Sequence, residues 1–113
     1  MSTVTVTGDN ITSEIYGCSL PVLINFWSSY NQEKKSAAAL EKMSSELEGI
    51  AKIVRVNVND EPDIAYRFRV EKVPTMMVYR KGTVTDTIVG NVGAGMLRWI
   101  IEHGQEEEDI RLQ

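Results

Sequence analysis

The sequence predicts an α/β fold: a mixed five-stranded sheet with helices on both faces, in the order β-α-β-α-β-α-β-β-α. Three observations carry this. Short β-branched runs alternate with helical segments over most of the chain, the pattern of parallel strands joined by right-handed crossovers. Lys81-Gly82 lies between two strand-like runs and reads as the turn of a closing antiparallel hairpin. The length of 113 residues suits one domain and is enough to bury a core.

Each element has a local reason. Residues 3–7 alternate threonine and valine, the period of a half-buried strand. Gly8-Asp9-Asn10 is a turn, with Asp9 or Asn10 available to cap a short helix over 11–16 that stops at Gly17. Pro21 opens Val22-Leu23-Ile24-Asn25-Phe26-Trp27, nearly all apolar, as a central strand buried on both faces requires. Ser28-Ser29-Tyr30-Asn31 is a break rich in cap formers. The helix that follows spans 32–48, places Leu40, Met43 and Leu47 on one face, and ends at Gly49.

Residues 53–58 form the next strand. Pro62 sits in the first turn of a helix over 62–68, where its missing N–H is not needed. The hairpin strands are 75–79 and 84–89. In the last helix Leu97 and Ile101, like Met96 and Ile100, are spaced i, i+4. No repeat or Pro/Gly/Ser-rich linker interrupts the chain. The expected organisation is one domain over 1–104 and an acidic tail over 105–113, which contains Glu106, Glu107, Glu108 and Asp109. Such a run is a solvated terminus or a segment that engages a basic partner.

Composition narrows the function. Apolar residues make up 42% and charged residues 25%, values of a globular rather than a disordered chain. Twelve basic and sixteen acidic residues leave a formal charge of −4, which argues against a nucleic-acid partner. No apolar run reaches the ~20 residues of a membrane span. The first residues carry no basic-then-apolar leader, so no membrane association and a cytoplasmic location are expected. One cysteine, Cys18, excludes an intramolecular disulfide, a two-cysteine redox centre and a multi-cysteine zinc site. One histidine, His103, falls on the last helix and reads as a solvated side chain. No metal site and no cofactor are expected. The glycines at 90, 93 and 95 lack the Lys-Ser/Thr ending of a phosphate loop, and read as a bend into the last helix.

The order and spacing of these elements resemble the thioredoxin family over residues 3–103. Residues 21–27 are similar to the strand before its active site, and Val73-Pro74-Thr75 to its cis-proline motif. Lys81-Gly82 and Val89-Gly90 match its hairpin and its glycine after the last strand. Asn57 and Pro62 stand where the family has an Asn and a Pro. The resemblance implies the thioredoxin fold. It also aligns the family's Trp-Cys-Gly-Pro-Cys-Lys with Tyr30-Asn31-Gln32-Glu33-Lys34-Lys35. Both redox cysteines are therefore replaced, by Asn31 and Lys34. The family's buried aspartate is replaced by Asn25, which cannot titrate.

Thiol–disulfide exchange needs an attacking thiolate and a resolving thiol. This chain keeps the helix start and lacks both. Asn31 is available as a neutral cap, and Ser29 with Gln32 has the spacing of a competing capping box. Glu33 suits the helix dipole, whereas Lys34 and Lys35 oppose it. A Lys34 nucleophile would need burial or a neighbouring cation to shed its proton.

What the resemblance still implies is a groove for a protein or an extended peptide segment, paired through the backbone beside the cis-proline. Carried over, that groove comprises Tyr30, Val73, Pro74, Gly90 and Asn91. The bland alternative is that these residues only shape loops. The function expected is a redox-inactive binding module, whether adaptor, co-chaperone or assembly subunit, with its oligomeric state open. The alternative is thiol–disulfide oxidoreductase-like activity through Cys18, which requires an exposed thiol of lowered pKa.

Overall fold

The computed structural model describes residues 3–31, 34–90 and 92–111, and the side chains of 3–30, 36–90 and 92–103. Five strands form one sheet: β1 (Val4–Thr5), β2 (Val22–Trp27), β3 (Lys52–Asn57), β4 (Thr75–Arg80) and β5 (Thr83–Val89). Their order across the sheet is β1-β3-β2-β4-β5. The helices are α1 (Lys34–Glu46), α2 (Pro62–Arg67) and α3 (Ala94–Arg111), with a short helical turn at Thr12–Tyr16 between β1 and β2. This is the mixed five-stranded sheet with helices on both faces that the sequence predicts.

The apolar run of β2 makes it the central strand. It pairs parallel with β3 and antiparallel with β4, and its first five residues are buried. Two apolar clusters fill the faces. Phe26, Ile24, Val54, Val56 and Met77 pack under the Thr12–Tyr16 turn and α2 through Ile15 and Ile64. Leu23, Ile53, Met76 and Val78 pack under α1 and α3 through Leu40, Met43, Leu47, Leu97 and Ile101.

The direction of β4 departs from simple parallel alternation. α2 has 6 residues, about 9 Å of helix at ~1.5 Å per residue, whereas the strands it joins span ~20 Å. The helix by itself does not return the chain to the start of the sheet, and β4 enters from the end that β3 leaves and runs antiparallel to β2.

Two local expectations are corrected. Neither Asp9 nor Asn10 caps the first helical turn. The Asn10 side chain instead accepts from the Thr7 N–H at 2.8 Å and donates to the Thr5 carbonyl at 3.0 Å, closing the exit of β1. That turn is also wider than an α-helix: the Gly17 N–H reaches the Thr12 carbonyl at 2.6 Å, five residues back. Of the last helix's two i, i+4 pairs, only Leu97 and Ile101 are buried, while Met96 stays 56% exposed.

The hairpin is as read. Lys81 and Gly82 both take positive φ, 48° and 88°, the left-handed pair that a tight two-residue hairpin turn requires. The backbone of α3 is helical through Arg111, into the segment read from sequence as an acidic tail. No described helix is long and apolar enough to cross a membrane.

Candidate functional site

The pairing register brings the predicted site residues to one end of three adjacent strands. Phe26 in β2 faces Thr75 in β4, and Thr75 faces Val89 in β5. One residue beyond this row stand Trp27, Pro74 and Gly90. The Val73–Pro74 bond is cis, and the Gly90 N–H donates to the Pro74 carbonyl at 2.8 Å. Gly90 has φ 100°, a conformation that side chains rarely adopt. Val73 and Pro74 are half-buried.

Past β2 the chain makes a tight turn, Ser29–Asn31, before α1. Two asparagines at the exit of β3 hold it. The buried Ser28 hydroxyl donates to Asn59 Oδ1 at 2.9 Å, and the Ser29 N–H reaches the same oxygen at 2.9 Å. Asn57 donates from Nδ2 to Ser29 Oγ at 3.0 Å and accepts from the Asn59 N–H at 2.9 Å. The Tyr30 N–H in turn donates to Ser28 Oγ at 3.2 Å. The turn is thus fixed from below, and Tyr30 stands 88% exposed at its crest.

The positions that align with redox cysteines lie here. Asn31 ends the turn and Lys34 begins α1. Their side chains and that of Lys35 lie outside the described ones, and Gln32, Glu33 and Asn91 lie outside the described residues altogether. The expected caps from Asn31 and from Ser29 with Gln32 therefore stand as sequence expectations.

Beneath the turn is a cluster that the motif alignment shows only in part. Asn25 is 4% exposed and pairs in register with Arg55 of β3. Arg55 Nε donates to Asn25 Oδ1 at 3.0 Å, and Asn25 Nδ2 reaches Met76 Sδ at 3.3 Å. The Arg55 guanidinium also lies 4.7 Å from the centre of the Trp27 ring, a cation–π contact. Burial pushes the Arg55 pKa down, opposed by the charge of Glu41 on α1. Trp27 Nε1 is buried without a hydrogen-bond partner among the described residues.

Asn25 therefore does what a neutral amide can. It accepts from a cation and donates to a thioether, and it has no proton to exchange near neutral pH. Arg55 is not marked by the sequence reading, although it is the one charge inside the run Ile53-Val54-Arg55-Val56 of β3 and sits opposite Asn25, the polar residue of β2. Arg55→Met is expected to lose about 1–2 kcal/mol, from one charge-assisted hydrogen bond and one ring contact at a half-exposed position. Urea titration checks this, and an unchanged midpoint would remove Arg55 as the partner that orients Asn25.

The remaining candidates stand apart. Cys18 is half-buried, packed against the apolar cluster beneath the Thr12–Tyr16 turn. It lies on the connection that enters β2, at the opposite end of that strand from Tyr30. His103 is exposed on α3, stacked on Trp99 with centroids 5.0 Å apart. Neither joins the site.

The family model for thioredoxin matches residues 2–103 of the chain. A thioredoxin of Pyropia yezoensis is 30% identical over 93 residues, which cover 81% of this chain and 87% of that protein. A thioredoxin of Chlorobaculum thiosulfatiphilum is 31% identical over 99 residues, 86% and 92% of the two chains. One from Rickettsia felis is 29% identical over 97 residues, 84% and 92%.

Proposed function

Because the chain belongs to the thioredoxin family but carries a single cysteine, we propose that it is a redox-inactive binding module, not an enzyme. It acts in the cytoplasm as an adaptor, co-chaperone or assembly subunit. Its ligand is a protein or an extended peptide segment, held in the groove formed by Tyr30, Val73, Pro74, Gly90 and Asn91.

The observation that carries this reading is that the end bearing Tyr30, Pro74 and Gly90 is built and braced while the chain lacks a dithiol. The sequence offers one thiol, and that thiol lies at the wrong end of β2. Yet the turn bearing Tyr30 is braced by Asn57 and Asn59, and Pro74 and Gly90 are bonded side by side. An exposed tyrosine offers an aromatic face with a polar tip, well suited to a peptide. The backbone before Pro74 is available to pair with an added strand. The half-buried setting of Cys18 gives no support to the monothiol alternative.

Two experiments test the proposal. In a dithiothreitol-driven disulfide-reduction assay, wild type and Cys18→Ser are expected to be equally inactive. The double variant Asn31→Cys with Lys34→Cys is expected to gain activity. Wild-type turnover that vanishes in Cys18→Ser would replace the binding reading with a monothiol enzyme. For the groove, a protein ligand recovered by pull-down is titrated calorimetrically. Tyr30→Ala and Val73→Asp are each expected to weaken it about tenfold or more. Unchanged affinity in both would sink the groove.

A further inference from the structure

The second face of the sheet carries a feature unrelated to the cysteine positions. The Thr12–Tyr16 turn and α2 cover β1, β3, β2 and Met77 of β4 on that face, but they leave β5 open, with Val84, Thr87 and Val89 exposed. What remains is a trough along β5. At the hairpin end it is lined by Tyr16, Phe68, Tyr79 and Val84, with Arg67 and Arg69 on the α2 side. Toward the Pro74 end it continues between Arg69, Lys72 and Val89. Met77 and Thr87 belong to both halves, so the floor is continuous.

The hairpin half is aromatic and pre-assembled. The Tyr16 ring stacks on Phe68 at 6.5 Å and tilts against Tyr79 at 5.9 Å. Arg67 Nη1 donates to the Tyr16 hydroxyl at 3.3 Å, which fixes the guanidinium at the rim and raises its pKa, with Asp63 one turn back on the same helix. Arg69 is exposed and held in a left-handed conformation at φ 58°. Neither arginine has a carboxylate within salt-bridge distance among the described residues. Val89 is 60% exposed and Val84 36%.

The charge here runs against the chain. The protein has a formal charge of −4, yet the trough carries Arg67, Arg69 and Lys72 against Glu71 alone. An apolar floor with cations along one wall complements an extended strand whose alternate side chains are apolar and acidic. We propose that this trough binds an acidic extended peptide, with apolar side chains toward Tyr79, Val84 and Val89 and carboxylates toward Arg67 and Arg69. The inference is independent of the Tyr30 groove.

The test is fluorescence anisotropy with a labelled peptide of alternating glutamate and valine, long enough to span β5. Saturable binding that weakens with added salt is expected, as is weaker binding of the glutamine–valine analogue. Arg67→Glu with Arg69→Glu is expected to weaken the glutamate peptide about tenfold or more. Tyr30→Ala is expected to leave it unchanged. A circular dichroism spectrum and melting curve like wild type secure the fold of the double variant. No binding by wild type, or equal binding by wild type and the charge-reversed variant, overturns the proposal. Loss in Tyr30→Ala alone moves the peptide to the other groove and also overturns it. Binding of a single-stranded oligonucleotide in place of the peptide would show a general polyanion surface, and the acidic-peptide assignment would fall.

Discussion

Phe26→Ala is expected to destabilise the protein by about 3–5 kcal/mol, a large share of the ~5–15 kcal/mol that holds a domain of this kind. Phe26 has no exposed surface and lies on the central strand, in register with Val56 on one side and Thr75 on the other. Its ring meets Phe68 at 5.6 Å, and Phe68 in turn contacts Tyr16 and Tyr79. Removing it leaves a cavity beneath Phe68 within the buried cluster, and the sheet on one side limits how far that cavity can collapse. In guanidinium titrations the midpoint is expected to fall with little change of slope. Phe26→Leu, which keeps most of the volume, is expected to cost about 1–2 kcal/mol. Equal losses for the two substitutions would mean that the pocket is not packed as described.

The second large effect is expected at Arg80. This arginine is 8% exposed and has no carboxylate within salt-bridge distance among the described residues. Nη2 donates to the carbonyls of Ile100 and Ile101 in α3, both at 2.7 Å, and Nε reaches Thr85 Oγ1 at 3.3 Å. Backbone dipoles thus hold a buried cation, and the side chain ties β4 to the last helix. The bonds to neutral acceptors are largely offset by the cost of desolvating the cation, so the loss expected for Arg80→Ala, about 3 kcal/mol, comes mainly from the space that the removed stem leaves under α3. Arg80→Met keeps the apolar stem and removes the charge that must be desolvated, so it is expected to stay within about 1 kcal/mol of wild type. Thermal unfolding of the three proteins decides this. If methionine is as damaging as alanine, the cation itself is what α3 requires.

The fold was legible because its signals are local and redundant. The apolar run of 22–27, broken only by Asn25, can be little other than a central strand. The heptad-like spacing of Leu40, Met43 and Leu47, Pro62 at a helix start and Lys81-Gly82 at a turn each point the same way. What was not legible depends on distant partners. Asn10 has the right chemistry for a cap, but the carbonyl of Thr5 and the N–H of Thr7 compete for its amide and win. The direction of β4 depends on the path of the whole connection over 58–74, which no local pattern reports. Arg55 and Arg80 are strand residues whose partners lie on other elements. The sheet turns one toward Asn25 and the other under α3, and no spacing rule along one strand reports that. Nothing in the local pattern marks Asn59, because its role is to brace a turn some thirty positions earlier.

The strand order has a consequence for the chain during its synthesis. β2 is complete at Trp27, long before either of its neighbours exists. Once β3 has been translated, β2 gains a partner on one edge. Its other edge stays open until Arg80 has left the ribosome, because only β4 covers it. Through that interval the nascent polypeptide presents an apolar strand with unpaired backbone, the kind of edge that recruits other chains. The most buried element of the finished protein is therefore its most exposed liability while it is being made, and a holdase acting on the first half of the chain would find its natural target in residues 22–27.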